Sequence, residues 1–325
     1  MPIRTRLTER LAIKHPILLA PMSTTAGARL AAAVSAAGGL GLLGGGARDA
    51  AWLEQEYALA GNARIGCGFI TWVLEKQPHV LDLALKHAPV ATMLAFGDPA
   101  PFAPAIHAAG SLLTCMVHNM AHTRQALAAG ADIIVAQGTE AGGHGALRTT
   151  MTLVPEVADL LARDSPDTLL VAAGGIADGR GLAAALMLGA DGVLMGSRFW
   201  ASEEANAHPN FQRAALARDG DATVRGITVD IAWGMDFPPE FTGRVLRNAL
   251  VGRWYGREDE HRKQAESLRQ DFFAALAAGN ADEAGINVGE AVGLMSRVEP
   301  AAKIVADVAS EAERLLRDRA TQVTP

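Results

Sequence analysis

Between residues 140 and 146 the chain reads EAGGHGA, which sets one imidazole, His144, among Gly142, Gly143 and Gly145. Histidine titrates near neutral pH, so a ring held at a pocket suits a catalytic role. The glycines around it are poor material for a helix or a strand, and what such a run offers is close approach by a flat ligand. Two more glycine turns follow: AAGGIADGRG at 172–181, with Gly174 and Gly175, and MGSRF at 195–199, with Gly196 and Ser197. Exposed N–H groups at two such turns, one strand and helix apart, can surround a phosphate with main chain alone. Asp178 is placed to cap the helix that follows the first turn.

Other patterns carry less chemistry. GLGLLG at 39–44 has the letters of a dinucleotide fingerprint but follows a helical stretch and runs into a strand, the reverse of the required order. His118 and His122 have the spacing of a zinc pair, yet no third ligand suggests itself, so no metal is expected and both read as structural. No lysine falls at a predicted strand end, which argues against Schiff-base chemistry, and no Gly-x-Ser-x-Gly elbow is present.

The elements that must position these residues are legible as eight short apolar runs: 16–22, 40–46, 64–70, 89–97, 111–117, 132–138, 168–174 and 192–199. They are apolar throughout and do not alternate, as parallel strands covered on both faces must be. Alanine-rich stretches between them, such as 25–37, 120–129 and 179–188, read as crossover helices; Gly38, Gly110, Gly130 and Gly189 serve as left-handed C-caps. Eight strand–helix units within about 200 residues predict a (β/α)8 barrel of the TIM type over 1–200, the count favouring closure over an open doubly wound sheet. In such a barrel the turns after strands six, seven and eight share one mouth. Residues 201–282 are more charged and carry a helix-like run at 257–279 with Leu268, Phe272 and Leu276 on one stripe; they read as a helical cap near the barrel mouth. Residues 283–325, with INVGEAVGL and a final helix, read as a segment returning to the barrel.

The 325 residues are half apolar with 5% aromatics, which suits a large core of Ala, Leu, Val and Ile. The formal charge of −6, with Lys and Arg dispersed, argues against nucleic acid as a partner. Cys67 and Cys115 lie in apolar runs without metal-like spacing and read as buried thiols in a reducing, cytoplasmic setting. The basic N-terminus has too short and too interrupted an apolar run for a signal peptide, and the apolar stretch 17–46 contains Arg29 and a glycine cluster, so no membrane segment is expected. The expected partner is a small-molecule substrate; a homo-oligomer is compatible with the sequence.

Taken together, PILLAPM at 16–22, EAGGHGA and AAGGIADGRGLAAALMLGADGVLMGSRF resemble the nitronate monooxygenase family, formerly called 2-nitropropane dioxygenases, and VGEAVGL resembles its late segment. The resemblance implies a flavoprotein that binds FMN. Ala20, Pro21 and Met22 would border the flavin ring, Gly142 and Gly143 would pass near it, Gln137 would lie by the ribityl chain, and Gly174, Gly175, Gly196 and Ser197 would hold the phosphate. His144 would stand beside the ring as catalytic residue, removing the α-proton of a nitroalkane or orienting a nitronate. The chain departs from several relatives at Gly68, where they have asparagine, and at Met116, near a position often occupied by lysine; both changes remove polar contacts to flavin or substrate. Phe69, Trp72 and Phe96 are candidates for an apolar substrate pocket. The implied reaction is oxidation of alkyl nitronates by O2 to carbonyl compounds and nitrite. An NAD(P)H-dependent reductase of quinones or enoyl thioesters shares the motifs, and a flavin-free barrel acting on a phosphorylated metabolite is a third reading.

Overall fold

All eight apolar runs become strands of one parallel sheet in the structure, a computed structural model that describes residues 3–46 and 49–321. The barrel strands are β1 (Ile17–Leu19), β2 (Leu42–Gly46), β3 (Gly66–Ile70), β4 (Ala91–Ala95), β5 (Leu112–Val117), β6 (Ile133–Gln137), β8 (Leu169–Ala173) and β9 (Gly192–Met195). Three more strands, β7 (Gly143–Gly145), β10 (Thr223–Gly226) and β11 (Thr242–Leu246), form a separate antiparallel sheet in the order β10-β11-β7. The large sheet runs β1-β9-β8-β6-β5-β4-β3-β2, and a parallel bridge from Leu18 to Leu40 joins its two ends, so the barrel closes.

The side chains of each barrel strand alternate between two cores. Leu18, Leu42, Met93, Val135, Val171 and Leu194 fill the interior. Leu19, Leu43, Cys67, Leu94, Ile134 and Val193 face the helices. Burying a Leu or Val side chain of this kind stabilises by about 1.5–3 kcal/mol, which is why the runs show no polar alternation. Leu7 and Leu11, on the helix Arg6–Leu11, close the end of the barrel where the strands begin. The mouth is therefore at the other end, where β6, β8 and β9 finish.

The crossover helices end as the glycines predict: Gly38, Gly110, Gly130 and Gly189 have φ of 94°, 73°, 81° and 95°. Asp178 caps the helix Gly179–Met187 by accepting from the N–H groups of Arg180 and Gly181. The glycines of GLGLLG serve packing, since a Cβ on Gly41 would lie 2.0 Å from the carbonyl oxygen of Ala31. Both cysteines are buried and free.

Residues 201–282 hold helices, including Glu258–Ala278 with Leu268, Phe272 and Leu276 in one apolar cluster. They also hold β10 and β11, which a helical reading of this segment passes over. The glycine run around His144, unpromising as a strand, becomes β7 because β11 supplies the ladder: Gly243 stands opposite His144 and Arg244 opposite Gly143. Glu299 pairs with buried Arg198 after β9, and Glu311 accepts from the Gly179 N–H at 2.8 Å. Of the segments expected from the sequence, residues 1, 2, 47, 48 and 322–325 lie outside the described residues. No described helix is long and apolar enough to cross a membrane.

Candidate active site

The loop after β6 is built to carry a side chain at a fixed place. Gly138 donates its N–H to the Ala173 carbonyl at 2.8 Å. The Glu140 carboxylate turns back to accept from the N–H and hydroxyl of Thr150, at the start of the helix Thr150–Asp164. From there the chain enters β7. The Nε2 of His144 lies 2.8 Å from Oδ1 of Asp230, with side-chain exposures of 17% and 10%. Phe237 stacks on the imidazole at 3.4 Å between ring centres and 6° between planes, and Phe96 meets it edge-on at 6.2 Å.

Two arginines from the β10–β11 hairpin hold this loop. Arg225 donates to the carbonyls of Thr139 (2.9 Å), Ala141 (3.0 Å), Gly145 (3.2 Å) and Thr242, and to the Thr139 hydroxyl. Arg244 adds a bond to the Thr139 carbonyl and pairs with Glu290 at 2.9 Å. Burial, helped by the like charge of Arg244, pushes the Arg225 guanidinium down to about 10, still cationic at neutral pH. A rigid fork of donors suits a turn such as this one, where the carbonyls of Thr139 and Ala141 lie outside any strand ladder.

Gln137, the last residue of β6, is buried and lies 2.8 Å from Nε2 of His118. Burial pushes the His118 ring down to about 3, so it is neutral. His118 stacks with Phe96 at 5.4 Å, and Phe96 holds a left-handed φ of 65°, rare for an aromatic residue. Beyond Phe96 lies a cavity of about 220 Å³, lined among others by Met116, His118, His122, Glu240 and Phe241. Trp72 joins the same aromatic group through Phe237, at 5.3 Å. Phe69 does not: its side chain is on the helix-facing side of β3, packed in the outer core. The alternation of the strand decides this, because an outward position of β3 cannot also face the mouth.

The glycine turns gather beside these groups. β8 and β9 are hydrogen-bonded neighbours, so Gly174–Gly175 and Gly196–Ser197 leave adjacent strands at the same end. Gly174 and Gly175 have φ of 101° and 74°. A Cβ on Gly196 would lie 3.5 Å from Met22 Sδ and 3.6 Å from Ala20 Cβ, placing the end of β1 next to that turn. Pro21 explains Gly68, whose Cβ would come within 2.3 Å of the proline ring, so an asparagine would displace Pro21. Gly142 is packed by Val288 and Gly289, and Gly289 donates to the Ser197 hydroxyl at 2.8 Å. Gly143, at φ 69°, has no atom beyond its chain neighbours within 4 Å of where a Cβ would be, so one side of its Cα faces open space.

Asp230, Arg225, Arg244, Phe237 and Phe241 belong to this site and escape a reading of the sequence that takes 201–282 as helical. The legible signal is a pair of short segments, TVRG at 223–226 and TGRVL at 242–246, each setting an arginine beside a glycine.

The fold and site define an enzyme of the (β/α)8 class whose histidine, carboxylate and glycine turns converge at the C-terminal mouth of the barrel. The nitronate monooxygenase family profile matches residues 4–63 and 50–311. A nitronate monooxygenase of Neurospora crassa is 34% identical over 94% of this chain and 91% of its own length. Among solved structures, FabK from Thermotoga maritima superposes with a TM-score of 0.88 at 30% identity, covering 99% of this chain and all of that one. A nitroalkane oxidase from Streptomyces ansochromogenes gives a TM-score of 0.78 at 26% identity, covering 98% and 99%. The chain belongs to the nitronate monooxygenase family and is an oxidoreductase of that family.

Proposed function

We propose that this chain is an FMN-dependent nitronate monooxygenase, which oxidises alkyl nitronates, and nitroalkanes once their α-proton is removed, to carbonyl compounds and nitrite with O2. The observation that carries the reading is His144, held by a carboxylate at the mouth beside Gly143, whose Cα has open space on one side. The glycine turns fit FMN. Gly174 and Gly175 adopt left-handed conformations that other residues resist, and they sit on the strand next to Gly196 and Ser197. These four residues would hold the phosphate, Gln137 would lie by the ribityl chain, and Ala20, Pro21, Met22 and Gly143 would border the ring. FMN, when bound, supplies the electron transfer and the reaction with oxygen.

The chain's own residues do the rest. His144 takes the α-proton of a neutral nitroalkane, or pairs with an already anionic nitronate. Phe237 covers one face of the imidazole, Phe96 meets it edge-on, and Arg225 and Arg244 hold the loop that bears it. Two buried free thiols support a reducing, cytoplasmic setting.

Purified protein should show flavin absorption, consume oxygen and release nitrite with alkyl nitronates. His144→Ala should slow neutral nitroalkanes on the order of 100-fold or more relative to preformed nitronates. A flavin-loaded protein inert toward nitronates but bleached anaerobically by NADH or NADPH would replace this reading with a reductase. A folded, colourless protein that takes up no FMN would remove the cofactor.

A further inference from the structure

Asp230 has one partner for its charge among the described residues, His144. It lies in the first turn of the helix Thr228–Trp233, is 8% exposed, and its Oδ1 contacts His144 Nε2 at 2.8 Å. Its other oxygen, Oδ2, is buried and has no hydrogen-bond partner among the described residues. Leaving a buried acceptor bare costs about 1–3 kcal/mol, more when it is charged. A carboxylate kept only to staple the extension to the barrel would have both oxygens engaged, as Glu140 does at Thr150. Meanwhile Phe237 fixes the plane of the imidazole and Asp230 fixes its edge, which leaves Nδ1. That nitrogen has no protein partner among the described residues and, unlike Oδ2, is not sealed from solvent.

We propose that Asp230 is a positioning residue: its carboxylate holds His144 in the Nε2–H tautomer, so that the lone pair receiving the substrate proton is on Nδ1. A carboxylate can only accept, so the facing Nε2 must donate, and a neutral imidazole with its proton there presents a bare Nδ1. In the proton-transfer step the α-C–H bond of a nitroalkane breaks, its electron pair moves into the nitro group to give the nitronate, and the proton bonds to Nδ1. The imidazolium formed keeps its Nε2–H on Asp230, whose negative charge offsets the new positive one. No oxidant takes part. The reaction assigned to the step rests on the nitronate monooxygenase reading; the tautomer does not.

The test is Asp230→Asn in the FMN-loaded enzyme, which preserves volume but offers an amide able to donate to Nε2 and so permit the other tautomer. Turnover of neutral nitroalkane should fall about 10²–10⁴-fold, the order seen when a carboxylate behind a catalytic imidazole becomes an amide. Oxidation of preformed nitronate should fall by a clearly smaller factor, since that substrate brings no proton to remove. ¹⁵N NMR of ring-labelled protein should put the His144 proton on Nε2 in the wild type and shift population toward Nδ1–H in the variant. Equal losses on both substrates, or an unchanged tautomer in the variant, would overturn the proposal. Should the variant not fold, the wild-type spectrum alone decides, because a neutral ring with its proton on Nδ1 and a bare Nε2 overturns it. Should the wild type oxidise neither substrate, the function reading fails, and the two spectra still judge Asp230.

Discussion

Replacing Arg225 with methionine removes five donors while keeping a chain of similar length, and the loss should be felt in one place. The guanidinium serves the carbonyls of Thr139, Ala141, Gly145 and Thr242 and the Thr139 hydroxyl. A carbonyl left without its donor costs about 1–3 kcal/mol. Arg225 is only partly buried, so water can reach some of these groups, and bonds to one loop are not additive. A net loss of about 2–4 kcal/mol in the local stability of the loop follows from the low end of that range. At 1.4 kcal/mol per decade this speeds local opening by about 30- to 700-fold. Amide hydrogen exchange resolves it. Peptides spanning 138–146 should exchange faster by that factor, while those from β4 and β5, whose cores do not include the hairpin, stay as they are. Turnover should fall with loop protection, because His144 rides on the same segment. Unchanged exchange at 138–146, or an equal rise across the barrel, would refute the view of Arg225 as a local clamp.

Gly68→Asn should destabilise by about 1–3 kcal/mol through overpacking, since its Cβ would overlap the ring of Pro21. Thermal melting checks this, and an unshifted midpoint would show that Pro21 yields freely. His118 yields a pH dependence: burial holds its folded-state pKa near 3, against about 6.5 unfolded. The unfolded chain therefore binds the extra proton, and stability present above pH 6.5 is lost as pH falls toward 3. Between pH 7 and pH 5 this amounts to something on the order of 2 kcal/mol. In urea unfolding, His118→Gln should reduce the drop between those pH values by about that amount; an unaltered drop would mean His118 charges within the fold.

How far the sequence reaches depends on whether a residue's role is local. The eight strands were legible because each is buried on both faces, and that demand writes itself into consecutive residues such as IIVAQ and LLVAA. Helix ends were legible because a left-handed turn needs glycine at that very position, as at Gly130 and Gly189. His144 and the turns at Gly174 and Gly196 stood out since a barrel assigns strand ends to its mouth before any coordinate is known. Phe69 shows where this stops: one residue of register separates a side chain that faces the helices from one that could reach the mouth, and apolar runs do not display register.

The partners of His144 lie further beyond reach. Asp230 is 86 residues away in sequence, on a six-residue helix, and its contact exists only because β11 lays a hairpin against a glycine run with little strand preference of its own. The sequence by itself determined the barrel, its open end and the histidine set there, since burial and turn geometry are demands on neighbouring residues. The tertiary structure alone decided which carboxylate, which arginines and which aromatic rings surround that histidine, because a hydrogen bond between distant segments leaves no periodic trace in either of them.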